Sequence, residues 1–140
     1  MDLCLRLPAE LFGVANVYSD YKEMLNNEHI DAVIICTPHF AHYEQAIACA
    51  KKGLHILCEK PLSYDLSEAK NMVKLCKEAG IKLFVNYMRR VDRGVLEIKK
   101  CIEIGEISTP IKANVWYSKG LLNNGSHFLD LLSFWLGKAK

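Results

Sequence analysis

Three short polar segments, each placed directly after an apolar run, hold the side chains best suited to binding a polar ligand. The apolar runs are continuous and rich in β-branched residues, as is typical of strands in a parallel sheet. Open α/β sheets bind ligands at the edge where their strands' carboxyl ends meet, so we expect the segments to converge there. A simpler interpretation also stands, in which Pro38 and Pro61 only end strands and the charges are solvated. The segments are Thr37-Pro38-His39, Glu59-Lys60-Pro61 and Asn86-Tyr87-Met88-Arg89-Arg90.

The elements that position these segments alternate between strands and amphipathic helices, which predicts βαβ units. Asp20 and Asp65, each followed three residues later by Glu, form capping boxes that begin two helices. Further helices are predicted over 41–52 and from near Arg90 to Gly105. Strands buried on both faces are predicted in the runs 31–36, 55–58 and 81–85.

The last part of the chain has a different pattern. Residues 111–118 alternate between apolar and polar side chains, which predicts a half-solvated strand in a different sheet. A turn rich in Gly and Asn follows, and then a helix over Ser126–Leu136. His127 and Asp130 are three residues apart on this helix and therefore share a face.

Composition excludes several classes of protein. The 140 residues carry 18 Lys and Arg against 16 Asp and Glu, a net charge of +2, and are 51% hydrophobic and 24% charged. This is an ordinary globular balance, and it provides no electrostatic basis for binding nucleic acid or an anionic membrane. No apolar run approaches the roughly 20 residues that a membrane-spanning helix requires.

Cysteine usage and the first residues indicate a reducing compartment. The first residues include charged side chains and a proline where an export signal would be apolar, so we expect a cytoplasmic chain with reduced thiols. The six cysteines form no C-x-x-C pair, and most are predicted to be buried: Cys4, Cys36, Cys49, Cys58, Cys76 and Cys101.

A zinc site is the main alternative that the spacing offers. His39-x-x-His42 and His55-x-x-Cys58 lie twelve residues apart, which superficially matches zinc-finger spacing. However, His55 and Cys58 fall on a predicted strand, where an odd separation directs their side chains to opposite faces. We therefore predict no metal site.

Three strings in the chain, in order, resemble signatures of the glucose–fructose oxidoreductase / inositol dehydrogenase (Gfo/Idh/MocA) family. Residues 35–42 resemble its TPNxxH segment, residues 58–62 its EKP signature and residues 123–130 its later DxGxHxxD segment. The resemblance extends from about Gly13 to Gly137. It implies an NAD(P)-dependent oxidoreductase that acts on sugars, cyclitols or nucleotide-linked sugars. The implied fold is a dinucleotide-binding α/β domain followed by an α+β domain.

The resemblance also assigns roles to individual residues. Lys60 would lie beside the nicotinamide and the reacting hydroxyl, stabilising negative charge on oxygen, and the Lys60–Pro61 bond would be cis. His127 would be the general acid/base, with Asn123 as the third catalytic residue and with Arg89 and Asp130 as further substrate contacts. The implied cofactor-binding residues are Thr37, Pro38, His39, His42, Glu59, Lys60, Pro61 and Asn86.

This chain departs from the family pattern at two of these positions. Asn123 replaces the usual Asp, and an amide orients a hydroxyl but cannot share its proton. Some branches that act on nucleotide-linked sugars are similar in carrying Asn there. His39 replaces the usual Asn. His42 matches the family, but its place at a helix start is equally consistent with a structural role.

The glycine-rich phosphate loop of dinucleotide-binding domains is not found in these residues. None of the eight glycines forms a G-x-G, the pattern that places backbone N–H groups against a pyrophosphate. Alignment by motifs predicts a partial Rossmann-like sheet without its first βαβ unit over residues 1–108. Residues 109–140 are predicted to be the start of a C-terminal α+β substrate domain. We therefore expect a truncated chain with weak or absent NAD(P) binding and weak or no activity alone.

The alternating segment over 111–118 predicts self-association. A strand over 111–118 without sheet partners would seek another chain, which indicates a homo-oligomer. The alternative to the oxidoreductase hypothesis is therefore a non-catalytic remnant, or a self-associating module, of the same fold.

Overall fold

The computed structural model describes residues 9–108 and 112–137. Strands and helices alternate from residue 21 to residue 103, as predicted. The elements are α1 (Tyr21–Asn27), β1 (Ala32–Ile35), α2 (His42–Lys51), β2 (His55–Cys58), α3 (Leu66–Glu78), β3 (Leu83–Val85), α4 (Arg93–Glu103) and α5 (Ser126–Leu136), with short 3-10 turns at His39–Ala41 and Met88–Val91 and a π-helical turn at Leu121–Gly125.

The three strands form one parallel sheet in the order β1-β2-β3. Ile34 lies beside Leu57, and Leu57 lies beside Phe84, so the registers of the two pairs are continuous. This sheet with its crossover helices confirms the predicted α/β class.

Side-chain caps determine where the helices begin. The Asp65 carboxylate accepts hydrogen bonds from the backbone N–H groups of Ser67 and Glu68 at the start of α3. Asp92 caps α4 in the same way, so this helix begins at Arg93 rather than near Arg90 as predicted. Met88–Val91 instead forms a separate 3-10 turn.

The core lies on one face of the sheet. Helices α2 and α3 pack against this face, and Ile56, Cys58 and Met72 are among its fully buried residues. The prediction that the strands are buried on both faces is wrong for the described residues, because Ile34 and Phe84 on the opposite face are 69% and 63% exposed. In parallel sheets helices normally cover both faces; in the described part of the chain they cover only one.

Residues 112–118 do not form the predicted strand. A strand requires a neighbour to pair with its N–H and C=O groups, and no described residue provides one; Ile111, the first residue of the predicted strand, lies outside the described residues. Helix α5 packs against α4, where the Trp135 indole donates to the Val95 carbonyl at 3.0 Å. The predicted boundary after residue 108 adjoins 109–111, which also lie outside the described residues.

Three of the described cysteines are buried as predicted: Cys49, Cys58 and Cys76. Cys101 is half-buried, and Cys36 is exposed because it follows β1 at the open edge of the sheet. Cys4 lies outside the described residues. Burial raises the pKa of Cys49 to about 11 and that of Cys58 to about 12. Nowhere in 9–108 or 112–137 is there a helix long and apolar enough to cross a membrane.

Candidate functional site

The three polar segments lie together at the carboxyl edge of the sheet, as predicted. Backbone bonds continue the sheet beyond its strands: Glu59 N–H donates to the Ile35 carbonyl at 2.9 Å, and Asn86 N–H donates to the Cys58 carbonyl at 2.8 Å. The Asn86 side-chain amide also donates to Glu59 Oε1 at 2.6 Å. The turn after β3 is therefore tied to the turn after β2.

His42 ties the turn after β1 to the turn after β2. Its Nε2 lies 2.9 Å from the Thr37 carbonyl oxygen, and its Nδ1 lies 3.0 Å from the Pro61 carbonyl oxygen. The side chain is 1% exposed. Both ring nitrogens thus face backbone carbonyls in the interior, as suits a structural residue. The cofactor-binding role implied for His42 stays a prediction.

Lys60 extends from the middle turn to the segment before α5. Its Nζ donates to both the backbone carbonyl and the side-chain Oδ1 of Asn123, each at 3.2 Å. The Lys60–Pro61 peptide is cis, as the resemblance implies. Two residues that are 63 positions apart in sequence are thus in direct contact.

The turn between Asn123 and His127 is closely packed. A Cβ atom at Gly125 would lie 2.9 Å from Tyr117 Cε2, closer than real Cβ contacts. The Ser126 hydroxyl donates to the Asn123 carbonyl at 2.7 Å. A side chain at position 125 would therefore require the Tyr117 ring to move.

His127 is buried beside these groups. It is 8% exposed, and its Nδ1 has no hydrogen-bond partner among the described residues. The Tyr87 ring meets the imidazole edge to face, with ring centroids 5.8 Å apart. Burial lowers the pKa of His127, and the positive charges of Lys60 and Arg89 lower it further. The neutral imidazole is therefore favoured.

Asp130 is not a free carboxylate. Arg90 donates to both of its oxygens, from Nε at 2.7 Å and from Nη2 at 2.6 Å. Asp130 therefore joins α5 to the turn after β3, and the substrate-contact role implied for it stays a prediction. Arg89 instead lies over the Phe128 ring, 5.0 Å from its centroid.

The remaining predicted residues line the outer part of the edge. The Thr37 hydroxyl donates to Gln45 Oε1 at 2.7 Å, and Pro38 is exposed. The His39 ring packs on Tyr64 with centroids 3.9 Å apart. These residues border the site, and within the described part of the chain no hydrogen bond or ring contact joins them to the Lys60–Asn123 pair.

Two aromatic residues were not singled out from the sequence. Tyr87 contacts His127, and Tyr64 packs on His39. Tyr87 directly follows Asn86 in the third polar segment, so its position in that segment was the available signal. Tyr64 lies outside all three segments, and nothing in the local pattern distinguished it.

No cluster of three metal-ligating side chains is found in the ranges that the structure covers. His42 is engaged by two carbonyls, and His55 Nδ1 accepts a hydrogen bond from Lys82 N–H at 3.0 Å. These contacts engage both ring nitrogens of His42 and one of the two ring nitrogens of His55.

Comparison with known proteins gives one consistent result. The family model described as "Oxidoreductase family, NAD-binding Rossmann fold" matches residues 4–87. A myo-inositol 2-dehydrogenase of Thermotoga maritima is 39% identical over 106 residues, which is 76% of this chain and 32% of that protein.

Solved structures agree with this match. A probable dehydrogenase from Thermotoga maritima superposes with a TM-score of 0.86 at 31% identity, covering 99% of this chain and 46% of that one. The WlbA dehydrogenase from Bordetella pertussis, in complex with NADH and UDP-GlcNAcA, superposes with a TM-score of 0.81 at 31% identity, covering 95% of this chain and 44% of that one. Of the myo-inositol 2-dehydrogenase from Thermotoga maritima, this chain spans about a third of the length.

Proposed function

Because this chain belongs to the Gfo/Idh/MocA oxidoreductase family with its NAD-binding Rossmann fold, we propose that it carries the hydroxyl-reacting part of a dehydrogenase site. The reaction is hydride transfer between NAD(P) and a hydroxyl-bearing carbon of a sugar, cyclitol or nucleotide-linked sugar. Residues 1–108 belong to the dinucleotide-binding domain, and residues 109–140 to the substrate domain.

One observation carries this proposal: the Lys60 ammonium is held on Asn123 at 3.2 Å and lowers the pKa of the buried His127. A cation, an amide and a neutral imidazole with an unpartnered nitrogen thus meet at the carboxyl edge of the sheet. A base and a cation promote oxidation of an alcohol, because a proton leaves the hydroxyl while negative charge develops on its oxygen.

Each residue has a role that follows from its surroundings. The neutral imidazole of His127 accepts the hydroxyl proton at a ring nitrogen, and the lowered pKa keeps that nitrogen free at neutral pH. The Lys60 ammonium stabilises the negative charge that develops on the substrate oxygen. The Asn123 amide orients the ammonium and the hydroxyl without exchanging a proton itself. In reduction of the ketone, His127 returns the proton.

The residues fit one end of the cofactor. When bound, NAD(P) supplies the hydride acceptor or donor, and Thr37, Lys60 and Asn86 line the edge that would hold its nicotinamide. The unpartnered Nδ1 of His127 beside Lys60 supports this assignment. The 140 residues contain no G-x-G for the pyrophosphate. We therefore expect this chain by itself to bind NAD(P) weakly.

The names of the relatives support a polyhydroxylated substrate. One relative is a myo-inositol dehydrogenase, and one superposed structure holds UDP-GlcNAcA. An amide at Asn123 and the cation of Arg89, close to the buried imidazole, suit a ligand with several hydroxyls and a negative charge. This favours a nucleotide-linked sugar over a neutral cyclitol.

Calorimetry and a dehydrogenase assay test the proposal together. NADH is titrated into the 140-residue chain alone, and again with a separately produced glycine-rich βαβ unit of a relative. We expect weak binding alone, tighter binding with the added unit, and oxidation of myo-inositol or a UDP-sugar only then. Lys60→Met should abolish turnover, whereas Lys74→Met on the exposed face of α3 should not. Tight NADH binding by the chain alone contradicts the weak-binding proposal, and full turnover by Lys60→Met contradicts the role of Lys60.

A second candidate function is self-association without catalysis. The exposed Ile34 and Phe84 on the open face of the sheet support it, since exposed apolar patches mark interaction surfaces. The predicted strand at 111–118 no longer supports it, because those of its residues that are described form no strand. Light scattering over a concentration series decides between a dimer and a monomer.

A further inference from the structure

His42 is the more deeply buried of the two buried polar side chains in the described part of the chain, at 1% exposure. It takes no part in the acid–base chemistry proposed for Lys60, Asn123 and His127. A buried imidazole is costly unless its nitrogens are hydrogen-bonded. The two contacts that the His42 ring nitrogens make in the interior therefore indicate a structural role for this side chain.

Both contacts are to backbone carbonyls of separate turns. Pro61 follows Lys60 directly and has no N–H, so the carbonyl near His42 Nδ1 is the only hydrogen-bonding group of its backbone. The Thr37 carbonyl near Nε2 lies in the turn after β1. The imidazole thus joins the residue after Lys60 to a neighbouring turn of the sheet edge.

We propose that His42 is a positioning residue for Lys60. By holding the Pro61 carbonyl, the imidazole fixes the backbone from which the Lys60 side chain extends 3.2 Å from Asn123. The inference rests on the proposed function only in naming Lys60 as the group that acts on substrate. The restraint itself is a property of the fold that can be measured without turnover.

The chemistry of imidazole allows the two contacts to be separated. A neutral imidazole carries one N–H and donates to one carbonyl, whereas an imidazolium donates to both. An Asn side chain places its amide near the position of Nδ1, and a Gln side chain places it near the position of Nε2. His42→Asn therefore retains the donor to Pro61, His42→Gln retains the donor to Thr37, and His42→Phe removes both.

Nuclear magnetic resonance of the 140-residue chain tests the proposal. The readout is the nuclear Overhauser contact between the Lys60 ε-methylene and the Asn123 side-chain amide. We expect wild type and His42→Asn to retain this contact, and His42→Gln and His42→Phe to lose it. The matched control is Tyr43→Phe, which removes the neighbouring 2.7 Å hydrogen bond from Asn71 without touching either turn. It should keep the Lys60–Asn123 contact.

The outcomes separate positioning from general stabilisation. A Lys60–Asn123 contact that survives in His42→Gln and His42→Phe overturns the proposal, as does equal loss in Tyr43→Phe. Where His42→Phe fails to fold, the difference between the Asn and Gln variants decides. The wild-type spectrum provides an independent check, since a hydrogen-bonded ring N–H of His42 should exchange slowly, and a fast-exchanging ring also overturns the proposal. Because none of these readouts needs NAD(P) or substrate, failure of the proposed oxidoreductase function leaves them interpretable.

Discussion

Removing the charge of Asp130 should destabilise the fold. Arg90 binds both carboxylate oxygens, at 2.7 and 2.6 Å, and the side chains of Arg90 and Asp130 are 44% and 13% exposed. The pair thus lies between exposed pairs, worth about 0.2–1 kcal/mol, and buried pairs, whose disruption costs about 3–5 kcal/mol. We expect Asp130→Asn to lower the free energy of unfolding by about 1.5–2.5 kcal/mol, since bonds to charged groups contribute about 1.5–3 kcal/mol.

A double-mutant cycle with Arg90→Gln isolates the interaction between the two side chains. Urea denaturation of the four proteins should yield a coupling energy of about 1–2 kcal/mol, within the usual range for contacting residues. The coupling should decrease in 1 M salt, where the screening length is about 3 Å. The exposed Lys74–Glu78 pair, at 3.9 Å, is the matched control and should couple by less than about 0.5 kcal/mol.

One result would refute this reasoning. If Asp130→Asn were as stable as wild type and the cycle gave no coupling, Arg90 would not hold the carboxylate in solution. Asp130 would then be available for the substrate contact that the resemblance implied.

Three further predictions follow from burial. Burial and Lys60 lower the pKa of His127, so Lys60→Gln should raise that pKa toward its ordinary value in a proton resonance titration. In the wild-type chain, the lowered pKa means that the unfolded state binds the His127 proton more tightly than the folded state does. The contribution of His127 to the free energy of unfolding should therefore be full above about pH 6.5 and be lost as the pH falls toward the lowered pKa. Met72→Ala should lower the free energy of unfolding by about 2–5 kcal/mol in urea, since Met72 is fully buried. Iodoacetamide should modify the exposed Cys36 before Cys58, whose pKa burial raises to about 12.

Matched controls define what would contradict each of these. His127→Gln should remove its part of the slope of stability with pH, and an unchanged slope would contradict the linkage. Val73→Ala, at an exposed neighbour of Met72, should cost under about 1 kcal/mol, and an equal cost for both would contradict the assigned core. In urea, where the chain is unfolded, Cys36 and Cys58 should react with iodoacetamide at equal rates. Equal rates in the folded chain would contradict the burial of Cys58.

Local features of this chain were predictable because their causes are local. The Asp65 cap satisfies N–H groups two and three residues away, and the run around Val33 favours a strand through its own branched side chains. The order of strands and helices from α1 to α4 therefore followed from pattern alone, whereas the strand predicted over 111–118 did not form in its described residues. The meeting of the three turns at one edge followed from parallel strands having one direction.

What the local pattern could not provide is the choice among partners that are distant in sequence. Arg89 and Arg90 are adjacent and alike, yet only Arg90 binds Asp130, while Arg89 lies over Phe128. Both His42 and His127 are buried, but one has two carbonyl neighbours and the other an unpartnered nitrogen. These differences depend on how α5 and the turns pack in three dimensions.

The sequence by itself therefore determined the three strands, the helices between them and the edge of the sheet at which the polar segments meet, because propensity, capping and strand direction act over a few residues. The tertiary structure decided which face of the sheet is covered, which arginine binds Asp130 and which buried histidine keeps an unpartnered ring nitrogen. Those outcomes arise from burial and from charges brought together across 40 to 67 positions of the chain, as between Arg90 and Asp130 or Lys60 and His127. Solvation and electrostatic interaction depend on distance in space, not on separation along the chain.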